Sequence, residues 1–212
     1  MIDGPIGITN THSVGTVRDT FVSWMVDQGW PAPWHAPVVA ETYDGALNDI
    51  NGQHVEPSHV LSALHTAAAG PVREGSVGGG TGMLCNGFKG GIGTASRVVS
   101  AAGRLFTVGV LVQCNYNWEG KSLRLGDQWV SKKLPVGEHC YTDDTIAPKK
   151  PWFPFCSGAE LIKDSPARDG SIIVVIATDA PVLPHQLKRV AKRPALSLGR
   201  LGAISLSLIH IS

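Results

Sequence analysis

The sequence has little charge of either sign and almost no net charge. Among its 212 residues, 18 are Lys or Arg and 17 are Asp or Glu, which gives a formal net charge of +1 at pH 7. Proteins that hold nucleic acid or an anionic membrane surface use a strong positive field. The composition therefore argues against both kinds of partner and favours a small neutral substrate. The chain is long enough to bury one sizeable core, so we expect a single domain.

Long apolar runs and metal-binding patterns are also missing. No run approaches the roughly 18 apolar residues that cross a bilayer, and the start of the chain lacks the basic and apolar regions of a signal peptide. We therefore expect a cytoplasmic protein. The four cysteines include no Cys-x-x-Cys pair and the eight histidines show no ligand spacing, which predicts that the chain binds no metal. We expect the cysteines to be reduced and to act as small buried hydrophobic residues.

Apolar spacing and proline together predict three helices. Apolar side chains recur every three or four residues from Val14 to Met25, which indicates a helix running towards Gly29. Pro57 and Pro184 stand where two further helices begin, because proline fits the first helical turn.

The third helix has two distinct faces in the sequence. Leu183, Leu187 and Val190 share one side, so we expect them to face the core, while Lys and Arg residues occupy the other side. Pro194 is expected to end this helix because proline cannot continue its backbone hydrogen bonding.

Dense β-branched runs predict buried strands at residues 106–112 and 171–178. The second run is so apolar that we expect a central strand, and Asn115 follows the first run closely. A further buried strand at residues 38–40 leads to Asp44-Gly45, a strong turn signal, so we expect a polar tip there. Strands interspersed with helices predict an α/β (α+β) protein of layered sheets covered by helices.

Two segments are irregular. The glycine-dense region at residues 75–93 predicts tight turns or close backbone approach. Residues 118–169 contain prolines, paired lysines and scattered aromatics, which indicates a long surface excursion with little regular structure.

The most informative position is a serine at the start of the last predicted strand. Ser171 directly follows Gly170, whose carbonyl is unhindered, so the Ser171 hydroxyl could attack its own upstream peptide bond. Hydrolysis after this N-to-O acyl shift would leave Ser171 as a new N-terminus. Its α-amine would titrate at about 7.7–8.0 and could take the hydroxyl proton. The local sequence alone also fits a simple turn that enters a strand.

Several ordered blocks of the sequence resemble the L-aminopeptidase/D-esterase (β-peptidyl aminopeptidase) family of self-cleaving N-terminal-nucleophile hydrolases. The resemblance runs from about residue 4 to residue 202, interrupted by the excursion. The blocks are residues 4–15 (GPIGITNTHSVG), 39–45 (VAETYDG), 78–83 (GGGTGM), 88–97 (FKGGIGTASR), 108–115 (VGVLVQCN), 170–173 (GSII) and 177–189 (ATDAPVLPHQLKR).

The resemblance implies a four-layer αββα sandwich that cleaves itself between Gly170 and Ser171 and assembles as a homo-oligomer, a tetramer. It implies that Ser171 is the nucleophile, that Asn115 donates to the oxyanion and that Tyr43 is a supporting catalytic hydroxyl. Glu41 would bind the α-ammonium group of the substrate, which would make the protein a serine-type aminopeptidase. The substrates would be small peptides, amides or esters, and no cofactor is expected.

The ends of the chain depart from the family pattern. Members of the family begin well upstream of residue 4 and continue past residue 202 into an Asn-Gly-Ser-Gly-acid stretch that this sequence lacks. We therefore expect a fragment in which residues 1–202 form one catalytic domain, incomplete at both ends. Residues 1–170 would belong to the α-subunit and 171–202 to the β-subunit, and residues 203–212 would be a non-native tail.

Two other functions remain open at this stage. Acyltransferases similar to ornithine acetyltransferases share the architecture and the self-cleavage, but they use threonine at the scission point where Ser171 stands here. A non-catalytic assembly protein that retains the fold would stay uncut.

Overall fold

A computed structural model describes residues 3–117, 123–130, 133, 140–141 and 170–203. In the N-terminal part, strands β1 (Ile6–Asn10) and β2 (Val38–Thr42) pair in parallel. Helix α1 (Val14–Asp27) connects them and contacts both strands, and helix α2 (Pro57–Thr66) packs against α1. The first two predicted helices and the strand at residues 38–40 are therefore confirmed.

Helix α1 forms because one of its faces is apolar and is covered by the strands and by α2. Val17 and Phe21 are buried with Val60 of α2 in one hydrophobic cluster. A Cβ atom on Gly7 of β1 would lie 2.8 Å from the Phe21 ring, so the absence of a side chain there lets the helix approach the strand closely.

A second sheet contains β5 (Gly91–Ala101), β6 (Arg104–Asn115) and β9 (Ser171–Thr178), in that order and antiparallel throughout. Strands therefore form at both predicted β-branched runs, but residues 106–112 and 171–178 are half-buried or exposed and the predicted burial is wrong. The expectation that the last strand is central is wrong for the described residues, because β9 pairs only with β6 there. The apolar content of a strand reports how its faces are covered and carries no information about how many of its edges are paired.

Side chains of the β1–β2 sheet contact side chains of the second sheet. β2 contacts β9, and the Gln113 side chain in β6 donates from Nε2 to the Thr42 hydroxyl in β2 over 2.6 Å. Thr42 is fully buried and in turn donates to the Met83 sulfur over 2.9 Å. The protein is thus mixed α/β, with α1 and α2 against the β1–β2 sheet.

The glycine-dense region folds back on the start of β5. Gly75 exchanges backbone hydrogen bonds of 2.8 and 2.9 Å with Ile92. A two-residue turn then joins β3 (Leu84–Cys85) to β4 (Phe88–Lys89), and its residues Asn86 and Gly87 have φ angles of 52° and 77°. Positive φ at both turn positions is typical of a type I′ hairpin, for which Asn-Gly is the preferred sequence.

The predicted polar tip at Asp44-Gly45 is wrong in its exposure. The turn forms, with Asn48 N–H donating to the Asp44 carbonyl, but Asp44 is only 6% exposed. Its carboxylate accepts hydrogen bonds from the side-chain amides of Asn10 and Asn48. These amides satisfy the carboxylate, which is why a turn of polar sequence can lie inside the protein.

The cysteines also differ from expectation. Cys85 and Cys114 form a disulfide with a Cα–Cα distance of 5.6 Å, and Cys140 is disulfide-bonded as well. The prediction of reduced cysteines failed because Cys85 and Cys114 lie 29 residues apart and come together only when β3 packs against the end of β6. Disulfides persist mainly in oxidising compartments, so this disulfide does not support the expected cytoplasmic location.

The C-terminal helices are more exposed than their sequence suggested. The third predicted helix forms as α3 (Pro184–Ala191), but Leu183 and Leu187 are 57% and 45% exposed, so the expectation that they face the core is wrong among the described residues. Pro194 lies in the first turn of a further helix, α4 (Arg193–Arg200), which begins there because proline is tolerated at that position.

Of the predicted excursion, the structure describes one short antiparallel hairpin, formed by β7 (Arg124–Leu125) and β8 (Gln128–Trp129). The Arg124 N–H donates to the Leu201 carbonyl just beyond α4. Most of residues 118–169, and residues 204–212 of the predicted non-native tail, lie outside the described residues.

Candidate active site

Ser171 and Asn115 occupy directly opposite positions at one end of the second sheet. The antiparallel register between β6 and β9 pairs Asn115 with Ser171 and Gln113 with Ile173. Opposite residues of an antiparallel pair project to the same face, with Cβ atoms about 4.5–5.5 Å apart. The structure therefore brings together two of the predicted site residues, which are 56 positions apart in the sequence.

The Asn115 side chain is buried and held at both ends. It is 1% exposed, and its Oδ1 accepts a hydrogen bond of 3.0 Å from the backbone N–H of Leu84. Its Nδ2 donates over 2.7 Å to the backbone carbonyl of Tyr43. A primary amide carries two N–H groups, and among the described residues only the Tyr43 carbonyl accepts from Nδ2, which leaves one N–H for another acceptor. The amide is thus a fixed donor on the face that carries Ser171.

Gly170 has no room for a side chain. A Cβ atom built there would overlap the Cα and Cβ atoms of Tyr116 and lie 3.1 Å from the Asn115 carbonyl oxygen. The chain therefore enters β9 pressed against the residues that follow β6. Close approach of two backbones is one of the uses of glycine, and here it holds the Gly170–Ser171 bond beside Asn115.

Tyr43 is connected to the site through its main chain. It follows β2 directly, and its carbonyl oxygen is the acceptor for Asn115. The half-buried side chain packs with Ala46 and Leu84, and its hydroxyl lies against Gly45, where an added Cβ would be 2.5 Å from it. The predicted role of the Tyr43 hydroxyl in catalysis stays a prediction.

Glu41 lies at the end of β2, where its carboxylate accepts a 2.6 Å hydrogen bond from the Thr11 hydroxyl. Side chains alternate along a strand, so Glu41 projects to the face opposite that of Thr42, which contacts Gln113. No hydrogen bond among the described residues joins Glu41 to Ser171. Glu41 is therefore close to Tyr43 in the sequence, but the structure does not bring its side chain to that of Ser171.

Two groups at the site were not predicted from the sequence. The N–H of Leu84 orients Asn115, and a backbone group leaves no mark in the residue pattern. Thr11 binds Glu41, and it belongs to the same block of sequence as β1 but was given no role. The Asn86-Gly87 dipeptide was the available signal for the hairpin that presents Leu84.

A cavity lies beside β1. Its volume is about 850 Å³, and it is lined by β1, by apolar residues of α1 and α2 and by the Asp44 turn. None of Glu41, Tyr43, Asn115 and Ser171 lines it. The cavity is therefore distinct from the place where the predicted site residues meet.

Neither a metal-binding cluster nor a membrane-spanning helix is found in the described part of the chain. No group of three or more His, Cys, Asp or Glu side chains there is arranged to hold a metal ion. No helix there combines the length and the apolar character that crossing a membrane requires.

Known proteins resemble both the sequence and the fold. Residues 1–208 match the profile of Peptidase family S58. The β-peptidyl aminopeptidase BapA of Sphingosinicella microcystinivorans is 53% identical over 208 residues, which cover 94% of this chain and 48% of that protein. The chain thus spans about half the length of the curated relatives that it matches.

Solved structures also match this chain, including two that each have a TM-score of 0.73. A Burkholderia sp. β-aminopeptidase is 47% identical and is aligned over 93% of this chain and 48% of its own. The L-aminopeptidase D-Ala-esterase/amidase of Ochrobactrum anthropi, a prototype for the serine aminopeptidases with a variant of the Ntn hydrolase fold, is 45% identical over 92% of this chain and 48% of its own. The match across nearly the whole sequence shows that the chain belongs to Peptidase family S58.

Proposed function

We propose that the full-length protein is a self-cleaving serine aminopeptidase that releases N-terminal residues from small peptides, amides or esters. The observation that carries this proposal is the register that sets Ser171 opposite the buried, doubly anchored amide of Asn115. Membership of Peptidase family S58 and the names of its relatives supply the reaction class.

The first step would be maturation. The Ser171 hydroxyl attacks the Gly170 carbonyl carbon and the C–N bond between the two residues breaks. The hydroxyl proton passes to the Ser171 nitrogen, and an ester links Gly170 to the Ser171 oxygen. Water then hydrolyses this ester and leaves a Gly170 carboxylate and a free Ser171 α-amine. The lack of space at Gly170 supports this step, because it keeps the scissile bond next to the Asn115 backbone.

The mature site would then act on other molecules. The Ser171 α-amine takes the hydroxyl proton, the Ser171 oxygen attacks the substrate carbonyl, and the remaining Asn115 N–H donates to the developing oxyanion. The amine or alcohol leaves with a proton, and water hydrolyses the acyl-enzyme. A donor that is already fixed before reaction stabilises the oxyanion without reorganising.

Glu41 is proposed to bind the substrate's free ammonium group. The Thr11 hydroxyl occupies one lone-pair direction of one carboxylate oxygen, and a carboxylate accepts several hydrogen bonds at once. A charge-assisted contact with an ammonium group would select substrates by their N-terminus. We also propose a supporting catalytic role for the Tyr43 hydroxyl, the four-layer αββα arrangement and the tetramer.

The experiment is a denaturing gel and intact-mass measurement of the full-length protein and of Ser171→Ala. The wild type is expected to give two pieces with a new N-terminus at Ser171, whereas Ser171→Ala stays whole and inactive. An uncut wild-type chain that still hydrolyses peptides would overturn the proposal. An uncut and inactive wild type would favour the non-catalytic assembly protein.

A further inference from the structure

The Cys85–Cys114 disulfide lies directly beside the hydrogen bond that orients Asn115. Cys114 precedes Asn115 in β6, and Cys85 follows Leu84 in β3. The Leu84 N–H donates to Asn115 Oδ1 over 3.0 Å. The disulfide and this hydrogen bond therefore both link Leu84-Cys85 in β3 to Cys114-Asn115 in β6. Together they close a small ring between the two strands.

Non-covalent contacts also hold β3, because Leu84 is buried in a hydrophobic cluster with Ala46. β3 and β4 contain two residues each, and their turn consists of Asn86 and Gly87. Beyond the ring, the described backbone bonds from this hairpin to its surroundings include Asn86 N–H to the Tyr116 carbonyl at 2.9 Å. The covalent link adds a fixed connection to this packing and restricts how far the Leu84 N–H can move from β6.

We propose that the Cys85–Cys114 disulfide is a positioning element for Asn115, which keeps the Leu84 N–H on Asn115 Oδ1 and thereby aims the amide at the oxyanion. This inference rests on the proposed function. An oxyanion donor works by being fixed before the reaction, and a displacement of about 1 Å can lower the rate by about 10²-fold. Tyr43 holds only the nitrogen end of the amide, so the position of the oxygen end depends on the Leu84 N–H, which the link keeps close to β6.

The test is a double-mutant cycle in the full-length, self-cleaved protein. One arm removes the link with Cys85→Ser and Cys114→Ser together, the second is Asn115→Ala, and the third combines them. Removal of the link is expected to lower kcat by about tenfold with KM changed by less than about twofold. Asn115→Ala is expected to lower kcat by about 10²–10³-fold. In the Asn115→Ala background, removal of the link should change kcat by less than about twofold, because its target is gone.

Cys140→Ser is the matched control, since it removes the other described disulfide-bonded cysteine, and its kcat should stay within about twofold of wild type. A link variant with unchanged kcat, or one whose loss persists in the Asn115→Ala background, would overturn the inference while leaving the proposed function intact. Wild-type kcat in Asn115→Ala would instead overturn the oxyanion role, and the inference with it.

A second measurement covers the case in which the cysteine variants do not fold or mature. The mature wild-type enzyme is treated with dithiothreitol, which reduces the disulfide to two thiols and is itself oxidised to a cyclic disulfide. A reversible fall in kcat of about tenfold is expected in wild type and none in Asn115→Ala. Equal sensitivity of both proteins, or a wild type that is fully reduced and fully active, contradicts the proposal.

Discussion

At the scale of single residues, Glu41 has a hydrogen-bond partner that suggests a competing structural role. If Glu41 binds the substrate ammonium group, Glu41→Gln should raise KM by about tenfold for substrates with a free amine and much less for N-blocked ones, because a hydrogen bond to a charged group is lost. Steady-state kinetics on matched free and blocked esters measures this. If Glu41 only anchors Thr11, both substrates will be affected alike.

Thr11→Val provides the control for that experiment. It removes the 2.6 Å hydrogen bond to Glu41 but keeps the carboxylate. KM for free-amine substrates should therefore change by less than about threefold. An effect as large as that of Glu41→Gln would show that the position of the carboxylate, and not only its charge, depends on Thr11.

Gly170 is predicted to be intolerant of any side chain. In Gly170→Ala the new Cβ would overlap Tyr116, so the scissile bond must move away from Asn115. Self-cleavage is expected to slow by at least about tenfold, as followed by the appearance of two bands on a denaturing gel over time. Gly109→Ala is the matched control in β6, because its Cβ would meet only the Ala177 carbonyl at 3.9 Å. Equal cleavage rates in the two variants would disprove the steric argument.

At the scale of elements, Glu74 connects the glycine-dense loop to β5. Its carboxylate accepts hydrogen bonds from the Thr94 hydroxyl at 2.5 Å and the Thr94 N–H at 2.7 Å. The bond from the side chain, followed by the backbone bond, lowers the pKa of Glu74 below its ordinary value of 4.5. The stabilisation is therefore present above pH 4.5 and is lost as the pH falls through the lower pKa of the folded state.

Thr94→Val should raise the pKa of Glu74 back towards its ordinary value, because the hydroxyl makes the larger contribution. Thr94→Ser keeps a hydroxyl and should leave the pKa low. An NMR titration of the Glu74 carboxyl carbon measures both. Identical pKa values in Thr94→Val and the wild type would show that the backbone N–H alone holds the carboxylate.

Several helices and strands begin where the local sequence predicts. Helices begin at Pro57 and Pro184, and a strand begins at Ser171, as their sequences indicate. Proline acts through its own fixed φ and missing N–H, so its effect is local and predictable. The role of Pro194 was not predictable in this way, because a proline between two helical segments can end the first helix or lie in the first turn of the second.

At the scale of the whole molecule, one face of the second sheet extends beyond the sheet that it packs against. Leu105 lies on the same face of β6 as Gln113 and Asn115, because these positions differ by even numbers. Val98 in β5 shares that face, and the two side chains are 72% and 65% exposed. Only Gln113 and Asn115 are buried at the other end. Exposed Ser100 and Thr107 lie beside Val98 and Leu105 on the same face, so the buried contact with the first sheet is confined to the end that carries Ser171.

The sequence by itself determined helices α1, α2 and α3, strands β2, β6 and β9 and the family, because backbone preferences and apolar periodicity act over a few residues. It also singled out Ser171, Asn115, Tyr43 and Glu41. Only the tertiary structure decided that Ser171 faces Asn115, that Cys85 reaches Cys114, that Asp44 is buried and that β9 lies at the end of its described sheet. These features depend on register and on packing between residues far apart in the chain, which no local propensity encodes.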